Sequence, residues 1–305
     1  MIIKYGNFDV TKQVYKYLVK DKYIYIPCSD FLRVHIFGNN KYGVHKDISI
    51  DNVIYNTDVF IDENNTIFTN NVPENIRDMF LYAPFFINYN EKLLNIHNEL
   101  KIDYGYLQQE YPEQIMSVRY LTGKEKILEI GGNIGRNSIV IGYILNKNNN
   151  NNLVSLETNT EDAKKLEYNR DLNKLDFYVE NAALSKRKLI QKGWNTIPVD
   201  ECNEEDKNKY VEVKTITWEE LNKKYNIVFD TLILDCEGAF YYILQDMPEI
   251  LDNIKLILVE NDYFNNERKK YVDSVLIKNG FYLDYTNCHT ENIIHDNFYE
   301  AWIRD

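Results

Sequence analysis

Residues 127–138, ILEIGGNIGRNS, set a carboxylate, Glu129, at the end of an apolar run and just ahead of a glycine-rich turn containing Gly131, Gly132, Asn133 and Gly135. Loops of this kind commonly hold phosphate, because they bring free backbone N–H groups to the N-terminus of a helix. Two phosphate patterns fail here. The dinucleotide fingerprint needs G-x-G-x-x-G, and counting from Gly131 its middle glycine falls on Asn133. A P-loop needs Gly-Lys-Ser/Thr after four residues, and this loop has no lysine. Glu129, Gly131 and Gly135 match a third pattern, E/D-x-G-x-x-x-G.

A carboxylate in the loop favours a cationic ligand. S-adenosylmethionine carries a sulfonium and an α-ammonium where a dinucleotide carries phosphates, so Glu129 is attractive to it. An ordinary glycine-rich turn is the plain alternative for the loop alone, and three further positions weigh against it. Glu157 closes the run LVSLE, where an acid at the end of a second strand accepts hydrogen bonds from ribose hydroxyls. Asn181 and Ala182 end a third run, where an amide and backbone can read an adenine edge. Asp235 ends a fourth, beside the place of a reactive methyl. Carboxyl ends of parallel strands are where open α/β sheets bind ligands.

The elements that must position these residues begin near residue 124, where β-prone Val/Ile/Leu runs alternate with helical patterns. KILEI, LVSLE, DFYVENAAL, DTLILDCEG and IKLILVEND read as strands and the stretches between most of them as helices, which predicts a parallel sheet covered on both faces. No helix separates FYLDYT from NFYEAWI, so the last strand is expected to be antiparallel. Residues 1–90 read as a small β-rich module, with KYIYIPCSDF, FLRVHIF, NVIYNTDVFI and TIFTNNV as strands. Residues 91–123 read as a helical connector in which Ile115, Val118 and Leu121 form the apolar side of a helix. NKYVEVKTITW is expected to be a hairpin.

Composition excludes several classes. The 305 residues carry a net charge of −12, which disfavours DNA and RNA partners, since such binders draw their affinity from basic patches. Four scattered cysteines without metal spacing fit a reducing compartment. No run approaches a membrane span and no secretory leader is evident, so a soluble, cytoplasmic protein is expected. The 25 Tyr residues accompany many Asn, Ile and Lys, as AT-rich codons would produce, and are not read as a binding surface.

EIGGNIGRNS, NAALS and DCEGAF (235–240) together resemble the FkbM-type family of class I methyltransferases over about residues 110–305. The resemblance implies an α/β, Rossmann-like class I methyltransferase sheet over residues 124–305, an S-adenosylmethionine cofactor bound by Glu129, Gly131, Gly132, Asn133, Gly135, Glu157, Asn181, Ala182 and Asp235, and O-methylation of a small hydroxyl acceptor such as a sugar or nucleotide-sugar. Phe240 stands where that family frequently has an acid, and the insert at 190–215 is its own; both bear on the acceptor. The N-terminal module is faintly similar to β-rich pieces beside enzymes of glycan assembly, and packing or homo-oligomer formation is an equal reading of it.

Methyl transfer to oxygen needs an aligned acceptor and a base. Asp235 is the first candidate base and Glu237 the second, with a helix-capping role as the alternative for Glu237. Glu260, Asn261 and Asp262, together with Asp235, resemble the acid-plus-acid/amide set with which metal-dependent O-methyltransferases hold Mg²⁺; a structural role for Glu260 is the alternative. His289 and His295 are further base candidates, and Trp194 is either a platform for a sugar face or a core aromatic. An RNA cap 2′-O-methyltransferase lacks its lysines here, a non-catalytic glycan-binding scaffold is the rival from another class, and a nicotinamide oxidoreductase fails at Asn133.

Overall fold

The computed structural model describes residues 1–39, 45–69, 88–203, 205, 207–263, 265–288 and 298–305. The chain divides into two compact units, Met1–Asn88 with Leu283–Phe298, and Tyr89–Tyr282 with Tyr299–Asp305. Among the described residues no helix is long and apolar enough to cross a membrane.

In the second unit the elements run α1 (Tyr89–Glu99), α2 (Tyr111–Tyr120), β1 (Ile127–Ile130), α3 (Arg136–Asn146), β2 (Leu153–Leu156), α4 (Thr160–Leu172), β3 (Tyr178–Glu180), α5 (Trp218–Tyr225), β4 (Thr231–Leu234), α6 (Phe240–Asp246), β5 (Leu256–Glu260), α7 (Asn266–Lys278) and β6 (Tyr299–Ile303). Strands pair in the order β3-β2-β1-β4-β5, all parallel, and β6 joins β5 antiparallel. This is the expected Rossmann-like arrangement, with the reversed last strand in place. Every residue of β1, β2 and β4 is buried, which is why these strands read as unbroken apolar runs rather than alternating ones. The order of connection reverses between β1 and β4, and a crevice opens at such a switch point.

Local chemistry starts the helices. The Asn159 side chain accepts from Glu161 and Asp162 N–H and starts α4. Thr217 and Glu220 form a reciprocal capping box that starts α5. Gly135, at φ +92°, turns the chain into α3. Beneath β3, buried Glu180 is held by Lys214, Lys224 and Tyr225.

Three expectations are corrected. DFYVENAAL is not one strand: β3 ends at Glu180, and Ala183–Leu184 pairs in parallel with Thr215–Ile216. NKYVEVKTITW therefore does not fold on itself; Val211–Val213 lies antiparallel to Leu189–Lys192, whose other edge pairs with Asn195–Pro198. FLRVHIF lies in a helix, Asp30–Phe37, with Ser29 as its cap. Its buried positions are Arg33, Ile36 and Phe37, spaced i, i+3, i+4, and the arginine hides that period from a hydropathy reading.

The first unit holds two antiparallel sheets. In one, Phe8–Asp9, Ile3–Tyr5, Ile48–Ile50 and Val53–Tyr55 lie side by side. In the other, the order is Val19–Lys20, Tyr23–Ile26, Val59–Ile61 and Ile67–Phe68. They share a core that includes Ile3, Tyr5, Val14, Leu18, Ile26, Phe37, Ile48 and Phe60. Leu283 and Asp284 belong with this unit for a specific reason: Gln13 donates to the Leu283 carbonyl at 2.7 Å and Tyr17 donates to buried Asp284 at 2.6 Å.

The turn after β1 is the tightest point beneath the crevice. Gly131 has φ +96°, and a Cβ there would lie 1.6 Å from the Asp235 carbonyl oxygen. Gly131→Ala is expected to lose on the order of 3 kcal/mol or more in urea unfolding, combining backbone strain with overpacking. Gly193→Ala, where no atom lies within 4 Å of the added carbon, is expected to lose only about 1 kcal/mol from its positive φ. Equal losses at the two glycines would show that the approach to Asp235 does not govern the turn.

Candidate functional site

A cavity of about 450 Å³ opens at the carboxyl ends of β1, β2, β4 and β5, lined by Ile130, Leu156, Asp235 and Glu260 among others. That volume lies within the roughly 300–1,000 Å³ range of small-molecule sites. Its apolar lining includes Leu156, Ala182, Ala183, Leu184, Leu189 and Ile243. Among the described lining residues, eight side chains are carboxylates and none is a lysine, arginine or histidine.

Glu157 follows β2 directly and organises the first wall. One of its carboxylate oxygens accepts from the Asn133 N–H at 2.7 Å, and the other accepts from the Asn159 N–H at 2.7 Å. The glycine turn and the start of α4 are thus tied to one carboxylate. Asn133 sits at φ +46°, and its own side-chain oxygen accepts from the Ile134 N–H at 2.8 Å, which offsets the cost of that left-handed turn. Burial raises the pKa of Glu157 and the two backbone bonds oppose the rise.

Glu129 does something different from what its place in the loop pattern implies. It is 3% exposed, beneath the turn, and does not line the main cavity. Ser138 of α3 and Ser155 of β2 donate to the same carboxylate oxygen at 2.5 and 2.6 Å. Burial pushes its pKa up to about 7 against those two bonds. The carboxyl group joins β1, β2 and α3 under the loop.

The opposite wall gathers acids from three segments. Glu113 comes from α2, Asp235 and Glu237 from the turn after β4, and Glu260 and Asp262 from the end of β5. One carboxylate oxygen each from Glu113, Asp235 and Glu260 lies within 4.8 Å of the others. Burial, then the charges of Glu110, Glu113, Glu237 and Asp262, hold Asp235 well above the carboxylate range. Burial, then the neighbouring acids Glu113, Asp235 and Asp262, raise Glu260 in the same way. Glu237 stands at φ +51°, followed by Gly238 at φ +77°. A non-glycine residue in that region costs on the order of 1 kcal/mol, and here it aims a carboxyl group into the cavity. Burial and Asp262 raise Glu237 to about 7.

The oxygen donors that Glu113, Asp235 and Glu260 bring together are of the type a hard cation such as Mg²⁺ takes.

Of the expected cofactor residues, Gly131, Asn133, Glu157, Ala182 and Asp235 line the cavity together with the catalytic candidates Asp235, Glu237 and Glu260. Glu129, Gly132, Gly135 and Asn181 do not. Gly132 packs against α4, where a Cβ would meet Ser155 Oγ at 2.2 Å and Leu166 at 2.6 Å. The Asn181 amide donates to the Glu157 and Thr158 carbonyls at 2.8 and 3.1 Å and supports the wall from behind. His289 and His295 lie outside the described residues.

Sequence reasoning missed Glu110 and Glu113. The buried face of α2 includes Glu113, Gln114, Met116, Ser117 and Val118, whereas Ile115 is only half-buried. Gln114 donates to the Leu107 carbonyl at 2.8 Å and the Arg136 carbonyl at 3.3 Å. Glu110 accepts from the Arg136 guanidinium at 2.9 Å and the Asn137 N–H at 3.2 Å, at the start of α3. The available signal was two glutamates three apart on an amphipathic helix directly before the loop strand.

Neither a protein-family model nor a curated protein sequence matches the chain. Among solved structures it is similar to methyltransferase FkbM from Methylobacillus flagellatus KT, with a TM-score of 0.42 and 11% identity over 70% of this chain and 58% of that one. It is also similar to an O-methyltransferase from Bacillus cereus in complex with SAH, at TM-score 0.37 and 14% identity over 76% of this chain and 96% of that one. Ribosomal protein L11 methylase from Lactobacillus delbrueckii subsp. bulgaricus gives TM-score 0.39 and 11% identity over 67% and 82%. Likeness at this level assigns no activity.

Because Glu129 titrates near 7 in the folded chain and near 4.5 when unfolded, the native state keeps a proton across that window which the unfolded state has lost. Stability from this group is full below the window and falls as pH rises through 7, by on the order of 3 kcal/mol. Glu129→Gln keeps an acceptor for both serines and is expected to remove most of that fall when urea unfolding is compared at pH 5 and pH 8. An unchanged fall in the variant would mean that Glu129 ionises normally.

Proposed function

We propose that the chain is an S-adenosylmethionine-dependent O-methyltransferase acting on a small, uncharged hydroxyl acceptor, with a sugar as the fitting class. The observation that carries this reading is one cavity lined by apolar side chains, by a buried carboxylate (Glu157) at the end of β2, and by further carboxylates with no basic side chain among the described lining residues. A dinucleotide or a nucleotide-sugar brings phosphates to those carboxylates. A ligand with an apolar base, a ribose and a cationic amino-acid end meets a suitable partner at each point.

When bound, S-adenosylmethionine supplies an activated methyl group. The chain's own residues supply binding, orientation and proton transfer. Glu157 has acceptor capacity left on Oε2, beside the Asn133 N–H, for a ribose hydroxyl, and its tie to the Asn133 and Asn159 N–H groups holds it in place. Leu156, Ala182, Leu184 and Leu189 exclude water from the base. Glu237 is the general base: it is solvent-accessible and its pKa of about 7 is matched to taking a proton near neutrality. Asp235, whose pKa burial and its acidic neighbours raise, hydrogen-bonds the acceptor and aligns it for in-line attack.

Calorimetric titration is the first test. Micromolar binding of S-adenosylmethionine is expected, weakened at least tenfold in Glu157→Ala, with no response to NAD. The acidic wall adds a sign: the sulfonium donor should bind several-fold more tightly than neutral S-adenosylhomocysteine at pH 8. The gap should narrow as pH falls through about 7 and Glu237 takes up its proton. A folded sample that binds neither ligand would sink the reading. Glu237→Gln is expected to lower turnover about a hundredfold or more with cofactor binding largely kept; turnover at the wild-type level would remove Glu237 as the base.

A further inference from the structure

Leu189–Lys192 and Asn195–Pro198 pair in the register Lys192↔Asn195, so Gly193 and Trp194 alone form the turn. Such two-residue turns require positive φ at the first position, which Gly193 supplies at +60°. Nothing in the turn requires a tryptophan at the second. Trp194 is not a core aromatic, since it is 75% exposed. Even so, it lines the cavity that holds Glu157 and Asp235, and it also lines a neighbouring hollow beside Asn133, Asp162 and Gln109. The hairpin is registered on the same wall: the Gln191 amide donates to Thr158 Oγ1 at 2.7 Å, and that hydroxyl donates to Glu157 at 3.3 Å. The strand Val211–Val213 flanks the other edge of Leu189–Lys192 and braces the hairpin.

We infer that Trp194 is a ligand-binding residue, its indole lying against the nucleoside of the bound cofactor and closing the cavity over it. A large aromatic surface left in water at the rim of a half-apolar cavity is the arrangement that stacking on a base or ribose face uses. The hollow that Trp194 shares with Asn133 and Asp162, and not with Glu260 or Asp262, assigns it to the nucleoside side. The hairpin Leu189–Pro198 thereby covers that side, with Gln191 and Thr158 linking its position to Glu157. The inference rests on the cofactor reading above.

Tryptophan emission during titration with S-adenosylhomocysteine tests it, because the other two of the three tryptophans are set apart. Trp302 is 4% exposed and bonded to Glu300, and Trp218 packs on Phe229. The expected result is a saturable change in emission whose midpoint matches calorimetry and which is lost in Trp194→Phe. That variant should keep affinity within about threefold, while Trp194→Ala loses about tenfold, with melting temperature unchanged in both. Calorimetric binding by the wild type with silent emission, or full affinity in Trp194→Ala, would overturn the role of Trp194 and leave the cofactor reading intact. No calorimetric binding at all would overturn both.

Discussion

The close approach of Gly131 to the Asp235 backbone is the constraint on which the crevice depends. Parallel pairing of β1 with β4 brings both turns to one edge of the sheet, and the missing side chain lets the first turn rest directly on the second. From that contact the chain continues to Asn133, whose N–H is taken by Glu157, and then to α3, whose first turn is held by Glu110. Three walls of the cavity thus follow from one backbone contact. Any side chain at Gly131 separates the turns and loosens all three.

The second organising fact is electrostatic. A chain of net charge −12 concentrates carboxylates where a basic side chain would otherwise neutralise them. Ionised carboxylates packed this closely are costly in a low-dielectric cavity, and the chain relieves the cost in distinct ways. Glu110 has Arg136, Glu157 has two backbone donors, and Glu129 has two hydroxyls. Glu237 differs in being open to solvent and held at a left-handed backbone position. Its environment leaves it able to change protonation state near neutrality, which suits a group that must cycle.

The family resemblance and the physical reading meet on part of the site only. The E/D-x-G-x-x-x-G pattern led to an expectation that Glu129 meets the ligand, whereas the carboxyl group faces inward and binds Ser138 and Ser155. Its position is third in a four-residue strand buried at every residue. An acid there is spent on structure, and the carboxylates that line the cavity come from other segments. Asn181 is a parallel case, its amide committed to the Glu157 and Thr158 carbonyls.

What the sequence by itself determined is the parallel sheet, its strand ends and the reversed last strand, because fully buried strands and their glycine and Asn/Asp punctuation are local signals. The cavity-lining roles of Gly131, Asn133, Glu157, Asp235 and Glu260 followed, since a residue at a strand's carboxyl end has its place set by topology. Only the tertiary structure decided what depends on contacts between distant segments. Glu110 and Glu113 reach the site because α2 packs a polar face against α3, and a hydropathy period cannot show which polar side chains a neighbour will satisfy. Arg33 concealed a helix for the same reason, its guanidinium being buried and bonded to the Pro27 carbonyl. The grouping of Glu113 with Asp235 and Glu260, and the exposure of Trp194 at the rim, likewise depend on burial, and burial is a property of the assembled fold rather than of any stretch of chain.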